Sequence, residues 1–582
     1  MKLFTLKSLT IAIVSTVSFA SAADTYNIET IDTLNNYRSS VPQSINASGQ
    51  IVGVARFPEN VEIDFSKVPE RLLIQIGFDP EAGEELTIAQ YQAIVENLGN
   101  YANNSLQTQR VGLNQAFIYS SGASSEVNAV SATENQLANS VDSFLYSINN
   151  ANTAVGVTSA PFELIEHEYT NSDDETETAE YFVSDFLSRG MWYNDGISSV
   201  VEPEAQDYLG GESAIFDIND SGFAAGYESV ALSPDATTRI EESCEDPEVA
   251  SASQPLEVCV WGIWRGLQNA DASNIAAFNN SRYRYSRPRS GYNAGRSIYD
   301  IRGKLWQFDA SGEVIDEVEL PTLVERRSDD ENDFSSYAYA INNNDIAVGQ
   351  SWTYHPERNA IRMPAIFQNN EAQPVTEDPI YLWGAATDIN DSNVAVGHLT
   401  KRPAGELRSY GFYYDVDEGE LTILDSFFNG ASTIVRSIND NGEMVGTAEV
   451  DPTLSQVRAR AGFYYDMSDE APQIINLNNT ISCDSEYNIV DANDITENGE
   501  IIATALKTEP YTDEDGEEQT REILVNVKLD PIEGELNNCT DNEEPVERQG
   551  AAVGLGSLLG FGALGLLITT IRRRTFLKTK KS

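Results

Sequence analysis

The segment INDNGEMVG, residues 438–446, is one of seven copies of a nine-residue pattern in this chain of 582 residues. The copies align without gaps and begin at Ile45, Ile148, Ile218, Ile341, Ile389, Ile438 and Ile495. Each copy opens with Ile and Asn, except that the last has Thr in the second place, and continues through short polar residues. Two small or apolar residues then precede a final Gly, which Ala503 replaces in the last copy. An apolar entry, a polar turn and an apolar exit predict a β-hairpin in every copy.

The fifth position of the pattern supports this interpretation. It is occupied only by residue types that tolerate a left-handed backbone: Gly49, Asn152, Gly222, Asp345, Asn393, Gly442 and Gly499. The final Gly predicts a place where another backbone passes close by, as expected where sheets converge on a central axis.

A second pattern lies between the hairpins and consists of an aromatic strand closed by a polar turn. Examples are AFIY at 116–119, MWY at 191–193, LWQF at 305–308, AIF at 365–367, GFYY at 411–414 and GFYY at 462–465. In the C-terminal half the hairpins recur at spacings of 48, 49 and 57 residues, a length that suits a four-stranded propeller blade. We therefore predict an all-β fold, a seven-bladed β-propeller with insertions, in which the strand from Tyr26 to Leu34 completes the last blade. An array of β-sandwiches is the alternative architecture.

The N-terminal half has longer spacings, which predict insertions at about 57–110 and 229–304. The first insertion contains a short amphipathic helix, Leu86 to Val95, expected to pack on the propeller rim. The chain has four cysteines, and an even number favours two disulfide bonds if the protein is exported to an oxidising compartment. Three pairings are open, and we prefer Cys244 with Cys259 and Cys483 with Cys539 because each pair lies within one local segment.

The second insertion ends in a basic and aromatic segment, residues 281–304, which contains seven Arg and Lys residues but only one acidic residue. The candidate ligand-binding residues are Arg282, Arg284, Arg287, Arg289, Tyr283 and Tyr285. Arginine forks bind carboxylates and tyrosine rings stack on sugars or guanidinium groups, so these residues indicate a site for an anionic glycan or an acidic partner. The other interpretation is internal: the arginines neutralise neighbouring acidic blades and need no ligand.

Both ends of the chain have the composition of targeting segments. Lys2, Lys7, an apolar run and Ala20-Ser21-Ala22 predict a signal peptide over residues 1–22. After the ectodomain, 23–530, and an acidic linker, 531–549, residues 550–571 form an uncharged stretch long enough to cross a bilayer. The basic tail, 572–582, is expected in the cytoplasm. We therefore expect an exported protein, anchored in the inner membrane and facing the periplasm, or displayed at the surface or secreted after C-terminal processing.

The charge of the chain narrows the classes of partner. The net charge is −54, and without the eight cations of the two ends the remaining chain carries −62. Such a field repels nucleic acid, so we expect no nucleic-acid binding, but rather an envelope protein or anionic glycan as partner. The sequence leaves the oligomeric state open.

Motifs for catalysis are missing from the ectodomain sequence, which contains neither G-x-S-x-G nor H-E-x-x-H and only three histidines, His167, His355 and His398. No cofactor or metal site is expected, although residues 513–518 resemble part of a calcium loop. We therefore expect a non-catalytic envelope or cell-surface binding or scaffold protein. The alternative is a carbohydrate-active enzyme that uses acidic residues at the propeller mouth.

The repeats resemble the HAF-type extracellular repeat, whose units join an Ile-Asn-Asp-x-Gly-x-Val-Gly turn to an aromatic strand. The resemblance covers about residues 45–530. The C-terminal segment resembles a GlyGly-CTERM-like sorting tail through Gly550, Gly554, Gly556, Ser557 and Arg572 to Arg574, although no Gly-Gly pair is present. Together they look like an uncharacterised family, a domain of unknown function, of marine gammaproteobacterial envelope proteins. The resemblance assigns no catalytic residues to this chain.

Overall fold

The computed structural model describes residues 24–537, apart from 33, 84, 101–104, 252, 277–295, 357–359, 454–457, 513–517 and 535. The chain divides into two compact units, residues 1–537 and 538–582, and the second lies outside the described residues. The expected signal peptide, most of the acidic linker, the expected membrane helix 550–571 and the basic tail therefore also lie outside them. In the part of the chain that is described, no helix is long and apolar enough to cross a membrane.

The described residues form seven four-stranded antiparallel sheets, numbered here by the order of their hairpins. Sheet 1 contains β2 (Tyr37–Ile45), β3 (Ile51–Pro58), β4 (Asn114–Ser120) and β5 (Ala123–Glu126). Sheet 2 contains β7 (Ser143–Ile148), β8 (Ala154–Thr158), β11 (Arg189–Asn194) and β12 (Ile197–Val201). Sheet 3 contains β13 (Ser213–Ile218), β14 (Phe223–Leu232), β15 (Tyr299–Phe308) and β16 (Val314–Leu320). Sheet 4 contains β17 (Ser336–Ile341), β18 (Ala347–Tyr354), β19 (Ala360–Gln368) and β20 (Glu371–Pro374).

The last three sheets follow the same order. Sheet 5 contains β21 (Trp383–Ile389), β22 (Val394–Lys401), β23 (Arg408–Asp415) and β24 (Glu420–Ile423). Sheet 6 contains β25 (Thr433–Ile438), β26 (Glu443–Glu449), β27 (Arg460–Asp466) and β28 (Ile475–Asn476). Sheet 7 contains β29 (Tyr487–Ile495), β30 (Ile501–Thr512), β31 (Glu518–Glu533) and β1 (Asp24–Thr30).

All seven repeats fold as the predicted hairpins, each joining the first two strands of a sheet. The fifth residue of every repeat has a positive φ, between 60° and 84°. The predicted aromatic strands are the third strands of sheets 1 to 6. The predicted N-terminal strand pairs with β31 from Asp24 opposite Glu533 to Thr30 opposite Val527, so both ends of the described chain meet in sheet 7.

The backbone that requires a Gly at the end of each repeat is closer in the chain than the sequence predicted. A Cβ at Gly156 would lie 1.8 Å from the carbonyl oxygen of Phe144, which belongs to the first strand of the same sheet. The register shifts by one residue beside this position, between Leu145 and Ser147, so a β-bulge pushes that carbonyl toward the Gly. The close backbone is therefore a partner strand rather than a converging sheet. Sheet 7 has Ala503 there, and its first strand has two register shifts.

The Asn of each turn joins neighbouring sheets. Its Oδ1 accepts backbone N–H groups of its own turn, as Asn149 does from Ala151 and Thr153 at 3.0 and 2.9 Å. Its Nδ2 donates to the backbone carbonyl of the equivalent residue in the next sheet. The six donations, at 2.9–3.1 Å, run from Asn46 to Asn149, Asn149 to Asn219, Asn219 to Asn342, Asn342 to Asn390, Asn390 to Asn439, and Asn439 to Thr496. We call these six hydrogen bonds the asparagine belt.

The circuit closes by a different contact, because the last repeat has Thr in place of Asn. The Oδ2 atom of Asp494, in sheet 7, accepts the backbone N–H of Ile45, in sheet 1, at 3.0 Å. Asn526 Nδ2, also in sheet 7, donates to Ser40 Oγ at 2.9 Å, and both residues are buried. The seven sheets are therefore linked from each to the next and from the last to the first.

We predict that Asn390→Ala destabilises the protein, because it leaves the Val394 N–H and the Asn439 carbonyl without the partners they have at 2.9 and 3.0 Å. Asn390 is buried, and each buried polar group left unpaired costs about 1–3 kcal/mol. The measurement is chemical denaturation. Ser392→Ala, on the exposed tip of the same turn, is the control and should change the free energy of unfolding by less than about 0.5 kcal/mol. Equal effects of the two substitutions would contradict a structural role for the belt.

Candidate functional site

Strand order gives the sheets two distinct ends. In an antiparallel sheet the first-to-second and third-to-fourth connections lie at one end, and the second-to-third connection lies at the other. The end that carries the seven repeat turns is the turn end, and the opposite one is the insertion end. The long second-to-third connections of sheets 1, 2 and 3 all project from the insertion end, and comprise residues 59–113, 159–188 and 233–298.

Each of the three insertions has its own secondary structure. The first contains α1 (Glu70–Ile76) and α2 (Ile88–Leu98), and α2 starts with a capping box between Thr87 and Gln90. The second is a hairpin of β9 (Phe162–Thr170) and β10 (Thr176–Ser184), which forms a three-stranded sheet with β6 (Gln136–Leu137). The third contains α3 (Pro234–Ile240) and α4 (Leu256–Ala276). The helix expected at 86–95 is confirmed as α2, whereas the hairpin insertion was not predicted.

The three insertions pack on one another, and we call them together the cap. Arg110, from the first insertion, is 1% exposed, and its guanidinium carbon lies 5.6 Å from the Phe162 ring centroid and 5.1 Å from the Trp261 ring centroid. Those two rings belong to the second and third insertions. Tyr181 Oη donates to Ser253 O at 2.8 Å, and the N–H of Phe182 donates to Leu106 O at 2.7 Å. The cap is therefore one packed unit over sheets 1 to 3.

A buried carboxyl group fixes the cap to sheet 3. Glu212, just before β13, accepts hydrogen bonds at Oε1 from Trp264 Nε1 at 2.9 Å and Ser297 Oγ at 2.6 Å. Burial raises the pKa of Glu212, and the two donors only partly offset this effect.

The structure also contains a disulfide bond between Cys244 and Cys259, with Cα atoms 5.7 Å apart, which ties the residues after α3 to α4. Cys483 is disulfide-bonded too, and its expected partner Cys539 lies outside the described residues.

A groove of about 310 Å³ runs between the end of β3 and α2. Its walls include Arg38, Phe57, Asn60, Ile88, Tyr91 and Glu96. Arg38 forms an ion pair with Glu96, and its guanidinium carbon lies 4.4 Å from the centroid of the Phe57 ring. Ile88 is 76% exposed, so the groove combines an accessible apolar edge with an aromatic ring and two charges.

The backbone of Phe57 is strained. Its φ is 62°, in the left-handed region that is unfavourable for a bulky aromatic residue. The conformation is held by the Phe57 N–H, which donates to Leu113 O at 2.8 Å, and by Arg38 and Arg56, whose guanidinium groups both lie near the ring. Such strain clusters at ligand sites, which makes Phe57 a candidate binding residue that sequence patterns alone did not indicate.

The predicted ligand-binding residues Arg282, Tyr283, Arg284, Tyr285, Arg287 and Arg289 lie outside the described residues. The described end of the same segment makes internal contacts. Arg302 Nη1 donates to Phe334 O at 2.8 Å, and the buried Lys304 pairs with Glu228 at 2.8 Å. Lys304 is therefore neutralised within the protein, whereas the contact of Arg302 is with a backbone carbonyl oxygen. The calcium-loop segment 513–518 is almost wholly outside the described residues, and within the described part of the chain no cluster of three His, Cys, Asp or Glu side chains suits a metal ion.

The turn end carries a row of acidic side chains at the third position of the repeats. Asp391, Asp440 and Glu497 follow one another in sheets 5, 6 and 7. The N–H of Asp391 donates to Asp440 Oδ1 at 2.7 Å, and the N–H of Asp440 donates to Glu497 Oε2 at 3.0 Å. Partial burial raises the pKa of Asp440, as do the carboxylates of Asp391 and Asp220. Burial and the Asp440 carboxylate likewise raise the pKa of Glu497.

We predict that Asp440→Asn stabilises the protein at neutral pH by about 0.2–1 kcal/mol, the range for exposed charge pairs. The amide oxygen still accepts the Asp391 N–H, while the repulsive charge is removed. Because the pKa of Asp440 is raised on folding, its ionised form costs stability above the folded-state pKa, and the cost disappears below the unfolded-state pKa. Urea denaturation against pH should therefore show a gain at pH 7 that fades in acid.

The matched control is Asn343→Asp, which places a carboxylate at the equivalent position between Asp220 and Asp391. This substitution should lower the free energy of unfolding at pH 7, because it adds a carboxylate next to two others. The loss should be smaller in acid, where the carboxylates are protonated. If Asp440→Asn had the same free energy of unfolding as the wild type at every pH, there would be no net repulsion between the carboxylates at the turn end.

Four-stranded antiparallel sheets linked in a closed circuit, with an N-terminal strand completing the last sheet, define a β-propeller protein. The chain belongs to the family described as Protein of unknown function (DUF3466), whose model matches residues 4–574. No curated protein matches the chain.

Two solved structures from Pyrococcus are similar in fold. The β-propeller domain of the Trilobed protease from Pyrococcus furiosus has 9% identity and a TM-score of 0.30, and the match covers 83% of this chain and 95% of that one. The acylaminoacyl peptidase of Pyrococcus horikoshii has 12% identity and a TM-score of 0.27, covering 69% of this chain and 52% of that one. At this level of similarity neither structure indicates an activity for this chain.

Proposed function

We propose that this protein is a non-catalytic binding or scaffold protein that displays a seven-bladed β-propeller outside the inner membrane. Its inserted connections would form the recognition surface. The segments expected at 1–22 and 550–571 would export and anchor it, or sort it to the surface after processing. The count of seven blades rests on the seven repeats, the four-stranded sheet that each of them opens and the closing contact between Asp494 and Ile45.

The observation that carries the proposal is the groove beside α2, with Phe57 held in a strained conformation at its wall. A left-handed backbone is unfavourable for a bulky side chain, and Gly would adopt it near the end of β3 without this strain. The ring of Phe57 lies against the guanidinium group of Arg38, so an aromatic face and a cation are adjacent in the groove. This pairing suits a sugar ring that carries a carboxylate, or the side chains of an envelope protein.

We predict that Phe57→Gly abolishes ligand capture while leaving the free energy of unfolding within about 1 kcal/mol of wild type, since relief of the backbone strain offsets the lost ring contacts. Capture is measured on an array of defined uronic-acid and neutral oligosaccharides, and by quantifying identified envelope proteins that co-purify from the native host. Because the chain is so acidic, general attraction to polyanions does not confound the array.

The control is Asn369→Gly, which replaces another left-handed residue, in the turn between β19 and β20. It should retain all binding seen with the wild type. Capture that survives in Phe57→Gly, or that is lost equally in both variants, would overturn the assignment of the groove.

The alternative function is a carbohydrate-active enzyme that uses acidic residues at the propeller mouth. The observation that favours it is the adjacent pair Asp440 and Glu497, in which burial raises the pKa of both carboxyl groups and the Asp440 charge raises that of Glu497 further, since a general acid requires a carboxyl group with a raised pKa. The same oligosaccharide panel tests it: turnover by the wild type that Asp440→Asn abolishes would establish the enzyme. Absence of turnover from the whole panel would count against it.

A further inference from the structure

A group of charged side chains lies between sheets 6 and 7, away from the cap. Arg436 on β25 and Asp491 on β29 form a buried two-pronged pair, with Nε to Oδ1 at 3.3 Å and Nη2 to Oδ2 at 3.0 Å. Arg458 Nη1 pairs with Glu449 Oε2 at 2.8 Å. Arg460, at the start of β27, lies directly opposite Glu449 in the strand register. We call these five residues, together with His398, the basic cluster.

The cluster carries one more cation than anions. Arg436, Arg458 and Arg460 face only two carboxylates, and each carboxylate already pairs with one of the first two arginines. Arg460 makes no hydrogen bond or ion pair with any residue that the structure describes, although it is half-buried. Burial lowers the pKa of Arg460, the charge of Arg436 lowers it further, and Glu449 and Asp491 raise it. The guanidinium group of Arg460 therefore remains charged, and its nearest carboxylates, Glu449 and Asp491, form their ion pairs with Arg458 and Arg436.

His398 on β22 is close enough to Arg436 and Arg460 to interact with their charges, and it adds an unsatisfied polar atom to the cluster. The residue is 5% exposed, and its Nδ1 has no hydrogen-bond partner among the described residues. Burial lowers the pKa of His398 to about 4, with further lowering by Arg436 and Arg460. The imidazole is therefore neutral at pH 7, which leaves it one N–H donor and one acceptor nitrogen.

We propose that the basic cluster binds a small oxyanion, a carboxylate or phosphate group, with Arg460 as the principal ligand and His398 and Arg436 completing the site. An unpaired guanidinium presents a planar fork of N–H donors that matches a carboxylate or phosphate. Burial strengthens such an interaction because the local dielectric is low. The anion also supplies the missing negative charge, so binding removes an electrostatic cost that the free protein carries.

The negative charge of the chain disfavours nonspecific anion binding as the source of a positive result at this site. With a net charge of −54, the protein repels anions in general, so any saturable anion binding must come from a local reversal of sign. The other described cations with close carboxylates, such as Lys304 with Glu228 and Lys528 with Glu500, are already neutralised. The site is independent of the groove beside Phe57, so either assignment can fail without the other.

The first test is thermal unfolding of the full chain with acetate, glucuronate or inorganic phosphate at constant ionic strength and pH 7. The melting temperature should rise with the logarithm of anion concentration once the site saturates. Glucuronate acting at a lower concentration than phosphate would identify a sugar carboxylate as the source, and the reverse order would identify a phosphate group. No rise with any of the three anions would overturn the proposal.

The variant Arg460→Gln should weaken the effect about tenfold or more, because it removes a charged hydrogen-bond donor. Arg460→Lys keeps the cation without the fork and should respond at intermediate concentrations, which also provides a second variant if the first folds poorly. Arg521→Gln, on the exposed ion pair with Glu509, is the control and should respond as the wild type does. Equal responses of Arg460→Gln and the wild type would also overturn the site.

An independent readout is the histidine NMR titration, since the chain has only three histidines and His398→Asn identifies the relevant signal. A bound anion offsets the charges of Arg436 and Arg460, so it should raise the pKa of His398 from about 4. The NMR signals of His167 and His355 should not respond to the anion, because neither residue belongs to the basic cluster. A pKa of His398 that is insensitive to a saturating anion would show that the anion acts elsewhere.

Discussion

The side-chain amide of the turn asparagine is the contact on which the rest of the structure depends. It has one acceptor and two donors on a short stem, so it can close its own turn and still reach the next sheet. In Asn342 the Oδ1 atom accepts the N–H groups of Asn344 and Ile346, while Nδ2 donates to the carbonyl of Asn390. An aspartate has no donor, and a serine is too short to perform both tasks. The repeated Ile-Asn pair is therefore a requirement of assembly between sheets as well as of turn formation.

Because the belt fixes the sheets at the turn end, variation is confined to the other end. The insertions of sheets 1 to 3 all occur there, and they pack into a cap through Arg110 and the rings of Phe162 and Trp261. Sheets 5 to 7 have short connections and expose no comparable layer among the described residues. The molecule thus combines a regular circuit that supplies stability with an irregular cap, and irregular surface connections are where binding sites most often lie.

The predictable features were those specified by local backbone chemistry. The left-handed turns were predicted correctly from residues such as Asn152 and Gly442. The strand that begins near Tyr26 was also correctly expected to complete the last sheet. The hairpin at 162–184 was missed because its alternation is interrupted by glutamates and carries no repeat signature. Glu212, Phe57 and His398 gave no sequence signal, since their burial, strain and neighbours arise from segments far apart in the chain. The bulge behind Gly156 was likewise invisible, because the partner strand causes it.

We infer that the asparagine belt and its closing contact between sheets 7 and 1 make the seven turns one cooperative unit. Native-state hydrogen exchange, followed peptide by peptide through the seven turns in increasing denaturant, tests this most directly. The account predicts that the turn amides, from Ser48 to Glu500, become exchangeable in a single transition together with the amides of β1 and β31. Separate transitions for the turns of sheets 1 to 3 and of sheets 4 to 6 would contradict it, because they would show that the sheets unfold independently of the belt.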